Sequence, residues 1–161
     1  ETQQDLNDIV DNATELTSTM REMVWSLNPR NDSLQQFLYH IQQYSKQFFE
    51  PSEIQCVIEM PSVASNISMN GFLRRNVLLT IKEIQNNIIK HAHATEVKIK
   101  ATYRDGNLYF CITDNGNGLP ENPSFNNGFY TMQKRIRECG GEFIWKNMSP
   151  GLKIEFSVKL L

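Results

Sequence analysis

The chain has no excess of basic charge. Lys and Arg number 16 against 18 Asp and Glu, for a formal net charge of -2 and a pI of about 5.9. No basic face is implied, which argues against nucleic acid as a partner. Long apolar runs are also missing: Val77-Leu78-Leu79 and Ile88-Ile89 are short, whereas a bilayer span takes roughly 20 apolar residues in a row. Cysteine is sparse. Cys56, Cys111 and Cys139 have no metal-ligand spacing, and their odd, scattered count fits a reducing compartment rather than a disulfide framework. Cys56 and Cys111 sit in strand-like runs and read as small buried hydrophobes. Four Asn-x-Ser/Thr triplets, at Asn12, Asn31, Asn66 and Asn147, are read as chance matches, given the missing disulfide framework. There is no internal repeat, no low-complexity segment and no signal-peptide pattern. The first residue is Glu, as expected of a fragment of a longer polypeptide.

What is present is an ordinary globular composition, 40% hydrophobic and 21% charged over 161 residues. That is enough for one domain with a real core and one further element. No Gly or Pro occurs before Pro29, and Leu6, Ile9, Val10, Ala13, Leu16, Met20, Met23, Val24 and Leu27 recur at three- and four-residue spacing. Residues 1–28 therefore read as one helix with a narrow, almost heptad-like stripe that should pack on other helices. Asn28-Pro29-Arg30-Asn31-Asp32 breaks the pattern and reads as a hinge. Ser33 opens a second helix, with Gln36 as capping-box partner and Leu34, Phe37, Leu38, Ile41, Tyr44 and Phe48 on its apolar face; Pro51 ends it.

Residues 54–60 read as a strand and 61–69 as a loop. A long helix is expected from about Asn70 to Ala92, burying Leu73, Val77, Ile81, Ile84 and Ile88. Two alternating strands, 96–103 and 107–113, are joined by Asp105-Gly106, a strong hairpin signal. Residues 114–128 hold three of the eight glycines and two of the six prolines and form the one long loop. A helix then runs to about Glu138 and stops at Gly140-Gly141. Strands 142–147 and 152–160 close the chain around Ser149-Pro150-Gly151. This order predicts an α+β fold: a two-layer α/β sandwich whose mixed, mostly antiparallel sheet carries helices on one face, preceded by a long N-terminal helix. The domain division expected is 1–30 for the leading helix and 31–161 for the rest.

Three clusters could carry chemistry. On the long helix, Glu83, Asn87 and Lys90 or His91 fall on one face beside the apolar stripe. An amide oxygen such as that of Asn87 suits Mg²⁺, which takes hard oxygen ligands and keeps waters and phosphates. A carboxylate one turn away, Glu83, can hold a metal-bound water or accept a proton. The plain alternative is a solvated helix edge. Asp114 ends a strand, where it can accept a hydrogen bond from an amino group of a planar base. Gly116 and Gly118 let backbone approach a ligand or adopt positive φ. The alternative is an ordinary Asp-Asn-Gly turn. Gly128 precedes a helix containing Met132 and Arg135, and the N–H groups of such a start are ready for an anion. The alternative is a helix start with no ligand.

These signals occur in fixed order around one hairpin. At that point the chain resembles the catalytic ATP-binding domain of two-component sensor histidine kinases, within the ATPase superfamily that includes gyrase, Hsp90 and the mismatch-repair ATPases. Lys82-Glu83-Ile84-Gln85-Asn86-Asn87-Ile88-Ile89-Lys90-His91-Ala92 resembles the N-box and Asp114-Asn115-Gly116-Asn117-Gly118 the first glycine box. Asn126-Asn127-Gly128-Phe129-Tyr130-Thr131-Met132-Gln133-Lys134-Arg135, followed by Gly140-Gly141, resembles the second. The short lid and the Lys-His-Ala ending of the N-box are similar to the nitrate-sensor and membrane-fluidity-sensor branch. Met23-Val24-Trp25-Ser26-Leu27-Asn28-Pro29-Arg30-Asn31-Asp32 resembles the junction between dimerisation helices and ATP domain.

The resemblance implies ATP and Mg²⁺ as cofactors. Asn87 would bind the metal, and Glu83 would polarise a water or the attacking group. Asp114 would bond the adenine amino group, with Gly116 and Gly118 shaping the base pocket. Lys90, His91 and the helix start at Gly128 would lie near the phosphates, with Met132 in the same box. It also implies a homodimer through the N-terminal helix, a response regulator receiver domain as partner, a cytoplasmic location and membrane attachment only through parts outside this chain. Residues 1–28 would be the second dimerisation helix, and the phosphoacceptor histidine would lie upstream, since His40, His91 and His93 do not match its motif. Three departures stand out. Asn126 replaces the first glycine of the second box, Phe129 a usual Leu, and Gly151-Leu152 the Gly-Thr of the last hairpin, which loses a hydroxyl. They leave a second reading open, a nucleotide-degenerate module that dimerises and transmits a signal without kinase activity.

Overall fold

The computed structural model describes residues 2–120 and 127–160. Helix α1 runs Thr2–Leu27 and α2 runs Leu34–Phe49, with a single 3₁₀ turn, Pro29–Asn31, between them. Strand β1 (Gln55–Glu59) precedes α3 (Gly71–Asn87), and the hairpin β2 (Glu96–Arg104) and β3 (Asn107–Asp114) follows. After α4 (Asn127–Glu138) the hairpin β4 (Phe143–Asn147) and β5 (Leu152–Lys159) completes the sheet.

The sheet order is β1-β2-β3-β5-β4. Only the β1–β2 pair is parallel; the other three are antiparallel. The sheet is thus mixed and mostly antiparallel, as the sequence predicts. Asp105 (φ 52°) and Gly106 (φ 76°) form the β2–β3 turn with both central residues left-handed, the geometry that matches strand twist.

Alternation of side chains sets the two layers. Val97, Ile99 and Ala101 of β2, Leu108, Phe110 and Ile112 of β3, and Ile154, Phe156 and Val158 of β5 are all buried. They meet across the strands as Ile99–Ile112, Ala101–Phe110, Phe110–Phe156 and Ile112–Ile154, so one sheet face is continuous hydrocarbon. The helices cover it with Phe37 and Ile41 of α2, Val77, Ile81 and Ile84 of α3, and Met132 and Ile136 of α4. Each such side chain contributes about 1.5–3 kcal/mol by leaving water. On the other face stand Lys98, Lys100, Lys153 and Glu155, none of them buried.

Local chemistry explains the ends of the helices. Ser33 Oγ accepts from Gln36 N at 3.5 Å and Asn70 Oδ1 from Leu73 N at 2.9 Å, each relieving an orphaned N–H of a first turn. The long helix departs from expectation at its far end. It is α-helical only to Asn87 and then winds as a π turn over Ile88–Ala92, closing at His93 in the left-handed region (φ 52°). Such widened turns are rare and cluster at functional sites.

The segment expected to be a hinge is braced rather than free. Arg74 of α3 is fully buried. Its Nε donates to Ser26 O (2.8 Å) and one terminal nitrogen to Asn28 O (3.0 Å). The other terminal nitrogen donates to the Asp32 carboxylate and the Met69 carbonyl. A buried guanidinium keeps its charge and must satisfy its fork of donors, so it gathers the carbonyls of an irregular turn. Asn31 Nδ2 also donates to Trp25 O at 2.7 Å. Trp25 lies flat on His40 of α2, ring centroids 3.7 Å apart and 11° from parallel. Further up α1, Glu22 pairs with Lys82 of α3 at 2.8 Å, and Lys82 Nζ also donates to Thr19 Oγ1 at 3.1 Å. Beyond Thr19 towards the N-terminus α1 is exposed throughout.

The cysteines need one correction. Cys139 is buried, but Cys56 and Cys111 are only half-buried. Cys111 pairs with Lys100 and Glu155 on the sheet face that no described helix covers, whereas Cys56, beside Val97, is on the helix face of the edge strand β1. Burial still pushes the Cys56 thiol up to about 11, so it stays protonated at neutral pH.

Candidate functional site

A cavity of about 390 Å³ opens between α3, its π turn, the end of β3 and the start of α4, within the range of small-ligand sites. Its walls are Ile84, Asn87, Ile88, His91 and Ala92 on one side and Gly128 and Phe129 on the other. Asp114, Leu152 and Ile154 lie on the sheet side, and Gly118, Leu119 and Pro120 line the chain leaving it. The lining is mostly apolar with a few polar groups that can fix orientation.

Asp114 is the most informative of these. It is the last residue of β3 and sits on the strand's buried face, below Leu108, Phe110 and Ile112 in alternation, with 8% exposure. Burial raises its carboxyl above the ordinary aspartate range, opposed by hydrogen bonds from the N–H groups of Gly116 and Leu152. The bond from Gly116 is 2.9 Å. A carboxylate that loses water in an apolar cleft gains from a ligand donor placed there.

The polar loop after Asp114 is fixed by its own side chains. Asn115 Oδ1 accepts from the N–H groups of Thr95 and Glu96, both 2.9 Å, while its Nδ2 donates to Thr95 Oγ1 at 2.8 Å. Asn117 N donates to Ala92 O at 2.8 Å. Gly116 is needed there because a Cβ would stand 2.1 Å from the Ala92 carbonyl oxygen. Its bare backbone lets the loop close on the π turn. Gly118 does adopt positive φ, 70°. Asn147 of β4 then brackets the outgoing chain, accepting from Leu119 N at 2.8 Å and donating to Leu119 O at 2.9 Å.

The structure brings Asn87, His91, Asp114, Gly118 and Gly128 together on the cavity wall. Four other candidates stand outside that wall. Glu83 is at its rim, beside Gly128, and pairs with Arg135 at 3.3 Å. Lys90 is exposed on the π turn, because the wider turn brings His91 rather than Lys90 back over Asn87. Gly116 packs on Ala92, and Met132 is fully buried in the core, one turn below Phe129 on the inner face of α4. Of the three departures, Phe129 and Leu152 line the cavity, and Phe129 leans on Trp145 with centroids 5.0 Å apart. Asn126 lies outside the described residues. The sequence did not reveal Leu119, Pro120 or the Asn147 bracket as parts of the site, because nothing local marks which distant side chain will meet that loop.

Comparison with known proteins agrees with this geometry. The chain is 31% identical over 88 residues to the nitrate/nitrite sensor protein NarQ of Escherichia coli (strain K12), covering 53% of this chain and 16% of that protein. It is 32% identical over 82 residues to sensor histidine kinase YxjM of Bacillus subtilis (strain 168), covering 50% and 20%. The chain thus spans a minor part of the curated relatives it matches. In fold it resembles the histidine kinase domain of the Erythrobacter litoralis EL346 blue-light activated histidine kinase, with TM-score 0.69, 14% identity and coverage of 88% of this chain and 70% of that one. It also resembles the Acinetobacter baumannii histidine kinase AdeS, with TM-score 0.67, 14% identity and coverage of 98% and 83%. The profile of the histidine kinase-, DNA gyrase B- and HSP90-like ATPases matches residues 74–160, the stretch that builds α3, the cavity and all the sheet but β1, and the chain belongs to that family.

Proposed function

We propose that this chain is the nucleotide-binding part of a sensor histidine kinase, binding Mg-ATP in the cavity and passing the γ-phosphoryl group to a histidine outside the chain. The observation that carries the reading is Asp114, a buried carboxylate on the sheet side of an otherwise apolar cleft. It accepts a hydrogen bond from the amino group of adenine while Ile84, Ile88, Ile154 and Leu152 flank the base. Asn87 offers one hard oxygen at the wall. Among the described residues no group of three or more His, Cys, Asp or Glu is gathered for a metal. A single amide oxygen fits Mg²⁺, which takes its remaining ligands from phosphates and water. When bound, that ion neutralises phosphate charge. His91 and the N–H groups of the first turn of α4 border the phosphate side. Glu83, at the rim, orients the attacking group. Phosphoryl transfer needs mainly positioning and charge neutralisation, and these residues supply both.

Helix α1 serves in this reading as the second dimerisation helix, with residues 1–30 belonging to that unit and 31–161 to the ATP domain. The receiver domain of a response regulator is the downstream partner, and the chain works in the cytoplasm. No described helix is long and apolar enough to cross a membrane.

Two measurements test the proposal. Mg-ATP at about 100 times its Kd stabilises a protein that binds it only when folded by roughly 2.7 kcal/mol, a clear rise in melting temperature. The shift should vanish in Asp114→Asn. Mixed with a separate chain carrying the upstream helix and its histidine, the protein should transfer radiolabelled phosphate from ATP. Leu152 and Phe129 on the cavity wall are the features favouring a nucleotide-degenerate module, and absence of any shift at millimolar ATP would establish that reading instead.

A further inference from the structure

Glu83 meets one helix at two points, a bond to one residue and a close approach to another. Gly128 and Arg135 are two turns apart on α4 and therefore share a face. Arg135 Nη1 donates to Glu83 Oε2 at 3.3 Å. A Cβ built on Gly128 would stand 3.0 Å from Glu83 Oε1, so the bare Cα leaves just enough room for the other carboxylate oxygen. The pair is neither buried nor free: the Arg135 and Glu83 side chains are 20% and 29% exposed. A bond of that length on the protein surface contributes little to stability, and α4 is already anchored by the fully buried Met132 and Ile136. The contact is therefore placed to aim a side chain more than to hold the fold together.

We propose that Arg135 is a positioning residue for Glu83, fixing its carboxylate at the rim of the cavity so that it faces the reacting end of a bound nucleotide. Arg135, like Glu83, stands outside the cavity wall, and its side chain bonds to Glu83, so the role argued for it is exerted through that carboxylate. The guanidinium suits the task, since its fork directs a carboxylate oxygen in a fixed direction, where a lysine ammonium supplies charge with less direction. The same contact joins α3 to α4, so any displacement of α4 moves the Glu83 carboxylate. The inference rests on the kinase reading given above.

The test is a double-mutant cycle of the unsubstituted chain, Glu83→Gln, Arg135→Gln and the double variant, with Arg135→Lys alongside. For each, the initial rate of phosphate transfer from Mg-ATP to the separate histidine-bearing chain is measured, together with the Kd for a non-hydrolysable ATP analogue. Arg135→Gln should lower the saturated rate by on the order of tenfold or more, the scale of a misplaced reacting group, with the Kd unchanged. Arg135→Lys should recover part of the rate. In the Glu83→Gln background, Arg135→Gln should have no further effect. A readout free of nucleotide comes from the side-chain carboxyl carbon resonance of Glu83. It should move in ligand-free Arg135→Gln and move part of the way back in Arg135→Lys. A Kd that weakens in step with the rate, or losses that multiply in the double variant, would overturn the inference in favour of direct phosphate contact. Glu83→Gln slow but Arg135→Gln as fast as the unsubstituted chain would overturn it alone. An undiminished rate in Glu83→Gln, or no transfer by the unsubstituted chain, would instead remove the functional reading beneath it.

Discussion

Helices α1 and α3 show similar apolar periodicity and meet opposite fates. On α3 and the π turn that continues it, Leu73, Val77, Ile81, Ile84 and Ile88 are 5% exposed or less. On α1, Leu6, Ile9, Val10, Leu16, Met20, Val24 and Leu27 are 52–70% exposed. Spacing defines which side chains share a face. Whether that face is covered depends on what else the chain brings to it. For α3 it is the sheet; for most of α1 nothing among the described residues serves, and among them the last turns, from Thr19 to Ser26, are the part that meets α2 and α3. An uncovered stripe of this length is the kind of surface that associates.

The contrast can be broken most severely in the core. Ile81→Ala should cost between about 2 and 5 kcal/mol, the usual cost of a cavity in a packed interior. Ile9→Ala on the outer part of α1 should stay within about 0.5 kcal/mol, and urea melts of the two variants measure the difference directly. Next is the clamp that joins the helices. Arg74→Met should cost about 3 kcal/mol, because the carbonyls of Ser26, Asn28 and Met69 lose a charged donor. Limited proteolysis should then cut between residues 27 and 33 much faster than in the unsubstituted chain. At the cavity, Asp114→Asn should abolish the nucleotide-induced stabilisation of roughly 2.7 kcal/mol while leaving the ligand-free melting temperature nearly unchanged. Burial already disfavours that carboxylate, so the neutral amide forfeits little.

The smallest effect concerns pH. His40 has its imidazole pushed below the ordinary value of 6.5 by burial, with Glu22 opposing, and its Nε2 is buried without a partner. A base whose folded value is depressed binds protons more readily unfolded, so stability is full above about 6.5 and declines as pH falls through it. Denaturant midpoints at pH 7.5 and 5.5 should differ, and His40→Phe should narrow the gap.

Much of this was legible in the chain. Helix and strand periods, the Asp105-Gly106 turn, the caps at Ser33 and Asn70 and the order of the motif boxes are local, and local chemistry decided them. Asp114 and Asn87 could be picked out because both their residue type and their position on an element were readable. What could not be read was long-range. No neighbour of Arg74 announces that it will gather a turn forty residues upstream. The π turn that exchanges Lys90 for His91 follows from closure against Gly116 and Asn117. A glycine after Asp-Asn permits close approach without saying by what, and the Ala92 carbonyl beside Gly116 is a long-range neighbour the sequence does not name. Met132 belonged to a recognisable box but its side chain follows the inner face of α4 into the core.

The two fastenings of α1 have a mechanical meaning. Arg74 grips its C-terminal end and Lys82 grips Glu22 and Thr19, and these two residues lie roughly 12 Å apart along the same helix. A rod pinned at one point can pivot; pinned at two, it turns only with the body to which it is attached. The free part of α1, from Thr2 to Ser18, extends roughly 25 Å beyond the second pin. It is a lever arm whose tilt is delivered to α3, one residue from Glu83 and five from Asn87.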